Sequence, residues 1–427
     1  MNAPPGTHVV ILGGGFAGLY AAKALRSASV KVTVVDRRNH HLFQPMLYQV
    51  ATAALSPGDI ASPIRSILRG QPNVEVVLGE AQSVDLADRR VRVDSSSLSY
   101  DYLIVATGAR HSYFGHEEWE MLAPGLKSIE DALEIRRRIL LAFEGAERRP
   151  DPGQRKSLLT FVVVGGGPTG VEVAGALAEI RRYALRRDFR HIDSREASVL
   201  LLEGGPRLLS SYPESLSMAA MRALRRLGVE VRTGAFVDGI THNGVSVGGT
   251  HIPTKTVVWA AGNLASPLLR SLGAPLDHQG RVVVGEDCTV PGHPEVFVLG
   301  DAACFDHQEG GPLPGLSPVA IQMGRYAAKT IRRDLAGRAR RPFHYRDKGQ
   351  LAVIGRGRAV ADIGRLHFSG FFAWLTWIFV HIFFLIGFRN RIIVLMEWAW
   401  SYFTFQHGAR LITGEGDHRG LVTRRPT

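Results

Sequence analysis

Gly13-Gly14-Gly15-Phe16-Ala17-Gly18 decides the fold, and it is met again 152 residues later as Gly165-Gly166-Gly167-Pro168-Thr169-Gly170. Each copy follows a short apolar strand, His8-Val9-Val10-Ile11-Leu12 or Phe161-Val162-Val163-Val164, and each runs into an Ala-rich helical pattern. That context is what a dinucleotide fingerprint requires. The first two glycines let the backbone turn tightly and approach a pyrophosphate, and the third lets helix and strand pack closely. The helix N-terminus then offers free N–H groups to the phosphates. Two dinucleotides are expected.

The acidic residue that such a turn needs is also present twice, as Asp36 ending Lys31-Val32-Thr33-Val34-Val35 and as Glu203 ending Ser198-Val199-Leu200-Leu201-Leu202. A carboxylate there accepts hydrogen bonds from ribose hydroxyls and repels a 2′-phosphate, which favours NAD over NADP. The second spacing is the longer one, because a basic segment from Arg181 to Arg195 lies between helix and strand end.

The duplication extends past the glycines. Gly13 lies 95 residues before Gly108 in Tyr102-Leu103-Ile104-Val105-Ala106-Thr107-Gly108, and Gly165 lies 97 before Gly262 in Val257-Val258-Trp259-Ala260-Ala261-Gly262. A third landmark, Glu295 to Ala303, is an apolar strand ending in Gly300-Asp301; by itself it reads equally as a strand closed by a helix-capping aspartate. The Pro/Gly/Arg-rich stretch from Gly145 to Lys156 is a plausible crossing linker. The expected fold is α/β, with two Rossmann-like dinucleotide-binding domains of the glutathione-reductase kind and a C-terminal membrane-associating helical region.

The 427 residues carry a net charge of +12, and residues 341–427 hold twelve Arg or Lys against five Asp or Glu. At 45% hydrophobic and 21% charged the chain is globular. Its two cysteines, Cys288 and Cys304, form no C-x-x-C pair, which excludes the redox dithiol of disulfide reductases and leaves buried packing as their expected role. The 16 histidines are scattered, no metal site is expected, and His40 and His41 are read as shaping a cofactor pocket. The N-terminus carries no signal-peptide pattern, so the catalytic body is expected in the cytoplasm.

Phe371 to Phe388 is an 18-residue run broken only by Ala373, Thr376, His381 and Gly387, and a second apolar stretch, Ile392 to Phe405, follows Arg389-Asn390-Arg391. A buried core helix would need more covering surface than a terminal region can offer. A single span would place Arg389, Arg391, Arg410, Arg419, Arg424 and Arg425 outside, against the positive-inside tendency. A helical hairpin lying in the interface keeps those arginines near anionic lipid and is the preferred reading. Trp374, Trp377, Trp398 and Trp400 suit the headgroup level, or equally a dimer interface. A body cut after Leu366 is expected to be soluble.

Asn39-His40-His41-Leu42-Phe43-Gln44-Pro45-Met46-Leu47-Tyr48-Gln49-Val50-Ala51 after Asp36, with Leu313-Pro314-Gly315, Arg346-Asp347-Lys348-Gly349 and Gly387-Phe388-Arg389-Asn390-Arg391, resembles the type II NADH dehydrogenases over residues 8 to about 412. These are single-subunit flavoproteins that pass electrons from NADH to membrane quinone without pumping protons. The resemblance implies FAD and NADH as cofactors and a quinone of menaquinone or ubiquinone type as acceptor. It further implies a homodimer, no nucleic-acid partner and a monotopic place at the cytoplasmic face of the cell membrane. The FAD-binding domain would be discontinuous, 1–115 and 285–340, with the NADH-binding domain at 156–284 and a C-terminal anchoring and dimerisation region at 341–427.

By the same resemblance Gly13, Gly15, Phe16, Ala17, Gly18, Asp36, Arg37, Thr107, Gly108, Gly300, Asp301 and Ala320 match FAD contacts. Gln44 and Pro45 fall near the isoalloxazine, and Gly165, Gly167, Pro168, Thr169, Gly170, Glu203, Ala261 and Gly262 lie on the nucleotide side. Glu172 and Gln322 match proton-handling positions; Glu172 reads equally as a first-turn carboxylate favoured by the helix dipole. One departure stands out. The family often carries Ala-Gln-x-Ala-x-Gln beside the flavin, and here Ser317-Pro318-Val319-Ala320-Ile321-Gln322 puts Pro318, which has no donor, where the first Gln would stand. The rival readings are a sulfide:quinone reductase, which needs cysteines beside the flavin, an NADH-dependent flavoprotein reductase with another acceptor, and a nucleotide-binding scaffold.

Overall fold

The computed structural model describes residues 6–185, 188–404 and 408–413. Contacts divide the chain into two units, residues 1–42, 61–110 and 263–348, and residues 43–60, 111–262 and 349–427. Arg419, Arg424 and Arg425 of the basic tail lie outside the described residues.

The first unit is built on a six-stranded sheet in the order Thr289–Val290, His293–Val298, Tyr102–Val105, His8–Leu12, Lys31–Asp36, Val74–Leu78. All pairs are parallel except the edge strand Thr289–Val290. The central strands are near-continuous runs of Val, Ile and Leu because both faces are covered, and Val9, Val10 and Ile11 have no exposed surface. Helix Phe16–Ala24 lies under helix Ser317–Leu335. The approach is close enough that a Cβ on Gly324 would overlap the Ala17 carbonyl.

The second unit repeats the plan with four parallel strands, Val229–Thr233, Ser198–Glu203, Thr160–Val164 and Thr256–Trp259. Each half also carries a three-stranded antiparallel meander, Ala81–Asp85, Arg90–Val93 and Ser96–Ser99 in one, Val237–Thr241, Gly244–Val247 and Thr250–Pro253 in the other. The long interval before Glu203 is filled by a π-helical turn, Ile180–Ala184, whose Arg181 guanidinium donates to the carbonyls of Ala197, Leu227 and Gly228. The insertion is thus pinned to the strand it precedes.

Residues after Gly349 begin with a three-stranded antiparallel sheet, Gln350–Gly355, Arg358–Ile363 and Leu366–Gly370, for which the sequence reading made no provision. Its first strand rests on helix Pro168–Glu179 at Gly175, where a Cβ would overlap the Ile354 carbonyl. The cut proposed after Leu366 is therefore corrected: it would sever a strand of this sheet, and Phe371 is the first residue beyond it.

The apolar run then divides into two helices, Phe371–Phe384 and Phe388–Thr404. The Arg391 guanidinium donates to the carbonyls of Phe383 and Leu385 at the end of the first helix, and Gly387 turns the chain with φ +94°. At 14 residues the first is about 21 Å long, short of a bilayer's ~30 Å apolar core. Among the described residues no helix is long and apolar enough to cross a membrane. Phe372, Phe379, Phe388 and Phe403 are each more than 70% exposed. The grouping of four tryptophans at one level is corrected as well. Trp377 is buried against Tyr48 and Trp398, and Trp398 Nε1 donates to Gln49 Oε1 at 2.7 Å, which leaves Trp400 as the strongly exposed one.

Candidate functional site

In the first unit the expected cofactor residues meet at the carboxyl ends of the parallel strands. Gly13 has φ +104°, and a Cβ there would overlap the Ala106 carbonyl; one on Gly18 would overlap the Gly13 carbonyl. Gly15, by contrast, faces open space. Backbone is therefore packed on one side of the turn and accessible on the other, as a phosphate cradle requires. Asp36 spans the turn, its Oδ2 accepting from Gly14 N–H at 2.6 Å and its Oδ1 from Arg38 N–H at 2.7 Å. Arg37 points outward to Glu80.

His41 closes the cradle from the side, donating through Nδ1 to the Gly14 carbonyl at 2.9 Å and meeting Phe16 edge-on at 5.1 Å. Burial pushes its imidazole down to about 4, so it is neutral at physiological pH. Pairing of His40–Leu42 with Ala61–Pro63 sets this position. Gly300 sits against Ala320 and Ala17, and Asp301 lines a recess of about 40 Å³ with Gly315, Arg281 and Ala109. Thr107 Oγ1 is buried with no partner among the described residues. The accessible face at Gly15, the recess at Asp301 and the orphaned Thr107 hydroxyl all fit FAD.

Gln322 pairs with the main chain: its Nε2 donates to the Arg346 carbonyl at 2.9 Å and its Oε1 accepts from Arg346 N–H at 3.0 Å, which leaves the second N–H of the amide to other partners. Gln44 and Pro45 form a 3₁₀ turn of the second unit, with Gln44 exposed.

The second unit reproduces the cradle atom for atom. A Cβ on Gly170 would overlap the Gly165 carbonyl, Gly167 faces open space, and Pro168 opens the helix, where its preset φ is an advantage. Glu203 Oε2 accepts from Gly166 N–H and Oε1 from Gly205 N–H at 2.6 Å, the same grip that Asp36 has in the first half. Ala261 and Gly262 follow the fourth strand, and Gly262 admits the ring of Phe114.

Glu172 lies in the second turn of its helix, not the first, so the helix-dipole account of it is corrected. It is buried, and among the described residues its hydrogen bond is a long one, 3.4 Å from Val353 N–H in the C-terminal sheet. Burial raises its carboxyl well above the usual carboxylate range, which favours the protonated form. Tyr48 nearby is also buried, its phenol raised by burial and secondarily by Glu172, and its Oη accepts from Gln49 Nε2 at 2.8 Å. Two turns along, Glu179 accepts from Arg356 N–H at 2.6 Å, and Arg356 in turn covers the Tyr402 ring at 4.0 Å. Sequence spacing gave no signal for these contacts, because the partners of Glu172 and Glu179 lie 181 and 177 residues away.

Both cysteines are buried, and burial raises both thiols, Cys288 strongly. Neither has the low pKa of a redox nucleophile. Among the described residues no cluster of His, Cys, Asp and Glu could hold a metal ion.

Residues 7–324 match the family model described as pyridine nucleotide-disulphide oxidoreductase, and residues 348–406 match the NDH2 C-terminal domain. A type II NADH:quinone oxidoreductase of Mycobacterium tuberculosis is 47% identical over 96% of this chain and 92% of its own. The chain belongs to the type II NADH:quinone oxidoreductase family. Among solved structures, the NDH2 of Plasmodium falciparum in complex with NADH has a TM-score of 0.85 at 20% identity, covering 96% of this chain and all of that one. The sulfide:quinone oxidoreductase of Aquifex aeolicus has a TM-score of 0.74 at 20% identity over 93% and 95% of the two chains. At that identity the likeness is one of fold.

Proposed function

We propose that this member of the type II family oxidises NADH and reduces a membrane quinone as a peripheral homodimer on the cytoplasmic face of the cell membrane. The observation that carries the reading is the doubled cradle, in which Asp36 and Glu203 hold equivalent turns in the same way. Bound FAD would supply a two-electron carrier between NADH and the quinone. The first unit would hold it by the Gly13 to Gly18 turn, Asp36, Thr107 and Asp301, and the second would hold NADH by the Gly165 to Gly170 turn and Glu203.

Quinone reduction consumes two protons. Glu172 is buried with its carboxyl raised by desolvation, and it is a candidate proton store. Gln322 is better suited to fixing the Arg346 segment. With Pro318 in place of a glutamine, this position offers no side-chain donor to a quinone carbonyl. The exposed aromatic faces of the two terminal helices, with Arg389 exposed at the start of the second, suit an anionic interface.

Purified protein should be yellow, bleach on mixing with NADH in a stopped-flow instrument, and recover colour when menaquinone or ubiquinone analogues are added. Bleaching without recovery by any quinone would reject the acceptor. Replacing Phe372, Phe379 and Phe403 with serine should shift the protein from vesicles to supernatant; unchanged sedimentation would reject the docking face.

A further inference from the structure

The Glu203 loop carries an aromatic side chain that the fold does not need. Phe236 follows strand Val229–Thr233 and is 73% exposed, while its neighbour Ala235 belongs to the core of the unit. Its ring lies over Gly204, where a Cβ would meet Cε1, Cδ1 and Cζ at 2.8, 3.0 and 3.3 Å. Glycine at 204 is thus what lets one edge of the ring approach the main chain beside the carboxylate.

Two backbone hydrogen bonds fix this arrangement: Ala235 N–H donates to the Glu203 carbonyl at 2.9 Å, and Gly234 N–H to the Gly205 carbonyl at 2.8 Å. The first half makes the corresponding exit from its sheet, with Gly79 N–H donating to the Asp36 carbonyl, yet the next residue there is Glu80, paired on the surface with Arg37. An aromatic is therefore no requirement of the turn. Leaving a Phe ring so exposed forgoes the hydrophobic gain of burying it, and that calls for a ligand with a flat apolar face.

We propose that Phe236 is the stacking platform for the adenine of NADH. The inference rests on the assignment of the second unit to NADH. With Glu203 taking the ribose hydroxyls, the base attached to that ribose has to leave the carboxylate along the loop surface, and the Phe236 ring is the planar group on that surface. Arg207 does not compete for the position, since its guanidinium donates to the carbonyls of Ser210 and Tyr212. The platform reads a π-face and not a hydrogen-bond pattern, so it should grip any purine and contribute affinity more than selectivity.

The test compares donors with and without the base. In the flavin-loaded enzyme F236A should raise KM for NADH about ten-fold, the ~1.4 kcal/mol of a modest stacking contact, with kcat moving less than two-fold. The inhibition constant of ADP-ribose should rise in parallel. The KM for reduced nicotinamide mononucleotide, which has no adenine, should stay within two-fold, F236Y should restore NADH and ADP-ribose binding, and F236L should not. A rise for the mononucleotide equal to that for NADH, or no change in KM and in ADP-ribose inhibition, overturns the platform. Failure of the unmodified enzyme to oxidise NADH at all would instead reject the functional assignment on which it rests.

Discussion

Behind the first phosphate turn, Gly324 lets helix Ser317–Leu335 lie on Ala17; behind the second, Gly175 lets strand Gln350–Gly355 lie on helix Pro168–Glu179. The turns themselves are alike, and the covers are not. In the first half the cover is a helix of the same unit, meeting Ala17 and its neighbours, and the contact is apolar. In the second it is the sheet that leads into the exposed terminal helices, and the buried face of the nucleotide helix carries Glu172 and Glu179 against that sheet's main-chain N–H groups. One cradle has been used twice, and the added chemistry enters through what is packed behind it.

Breaking one turn at a time gives the largest expected effects. Gly18→Val forces a side chain into the Gly13 carbonyl, and the protein should purify colourless and take up no added FAD, as read by its visible spectrum. Gly170→Val makes the same injury in the other half; that protein should stay yellow while kcat/KM for NADH falls about 100-fold or more, about 2.7 kcal/mol of lost transition-state stabilisation. Identical outcomes for the two variants would mean that the halves do not divide the nucleotides as proposed.

The covers can be pried apart separately. Gly175→Leu must push strand Gln350–Gly355 off its helix, because the obstructing Ile354 carbonyl is backbone, and overpacking of this kind costs about 2 to 3 kcal/mol. Unfolding in denaturant should show the loss.

Glu172 sharpens the comparison through pH. Its carboxyl is raised in the folded protein, so from the ordinary carboxylate range upward the native state binds more protons than the unfolded one, and stability falls as pH rises toward the folded value. Glu172→Gln removes that penalty. The variant should be the more heat-stable of the two, by a margin that widens between pH 5 and pH 8; a constant margin would place a charged carboxylate at the site. The smallest effect is expected from Trp398→Phe, which leaves Gln49 Oε1 without its donor and should cost about 1 kcal/mol.

What could be read from the residues follows the range of the interaction. Both turns, their acidic partners and the apolar strands that flank them were legible because glycine, strand and carboxylate constrain one another within a few dozen positions, and Glu203 remained legible across its longer interval because the apolar strand before it marks the place. The C-terminal sheet was not legible. Gln350–Gly355 and Arg358–Ile363 are six residues each, joined by Arg356 and Gly357, and although their apolar runs and glycine turn suit a hairpin, nothing local shows that it packs on helix Pro168–Glu179. The surroundings of Glu172 were hidden for the same reason, as they depend on Val353 and on a neighbouring tyrosine, Tyr48, more than 100 positions away on the other side. Trp377 and Trp398 look like interface anchors by composition, and only their tertiary partners show that they belong to the core.

The grip on Glu203 has a consequence for anyone wishing to re-engineer the enzyme toward a phosphorylated coenzyme. Exchanging this side chain for a neutral one would remove a repulsive charge and, by the same stroke, strand the amides of Gly166 and Gly205 that now lean on it. On the proposed assignment a single group sets both coenzyme preference and the shape of the loop, so a successful redesign has to rebuild the turn before it can relax the choice.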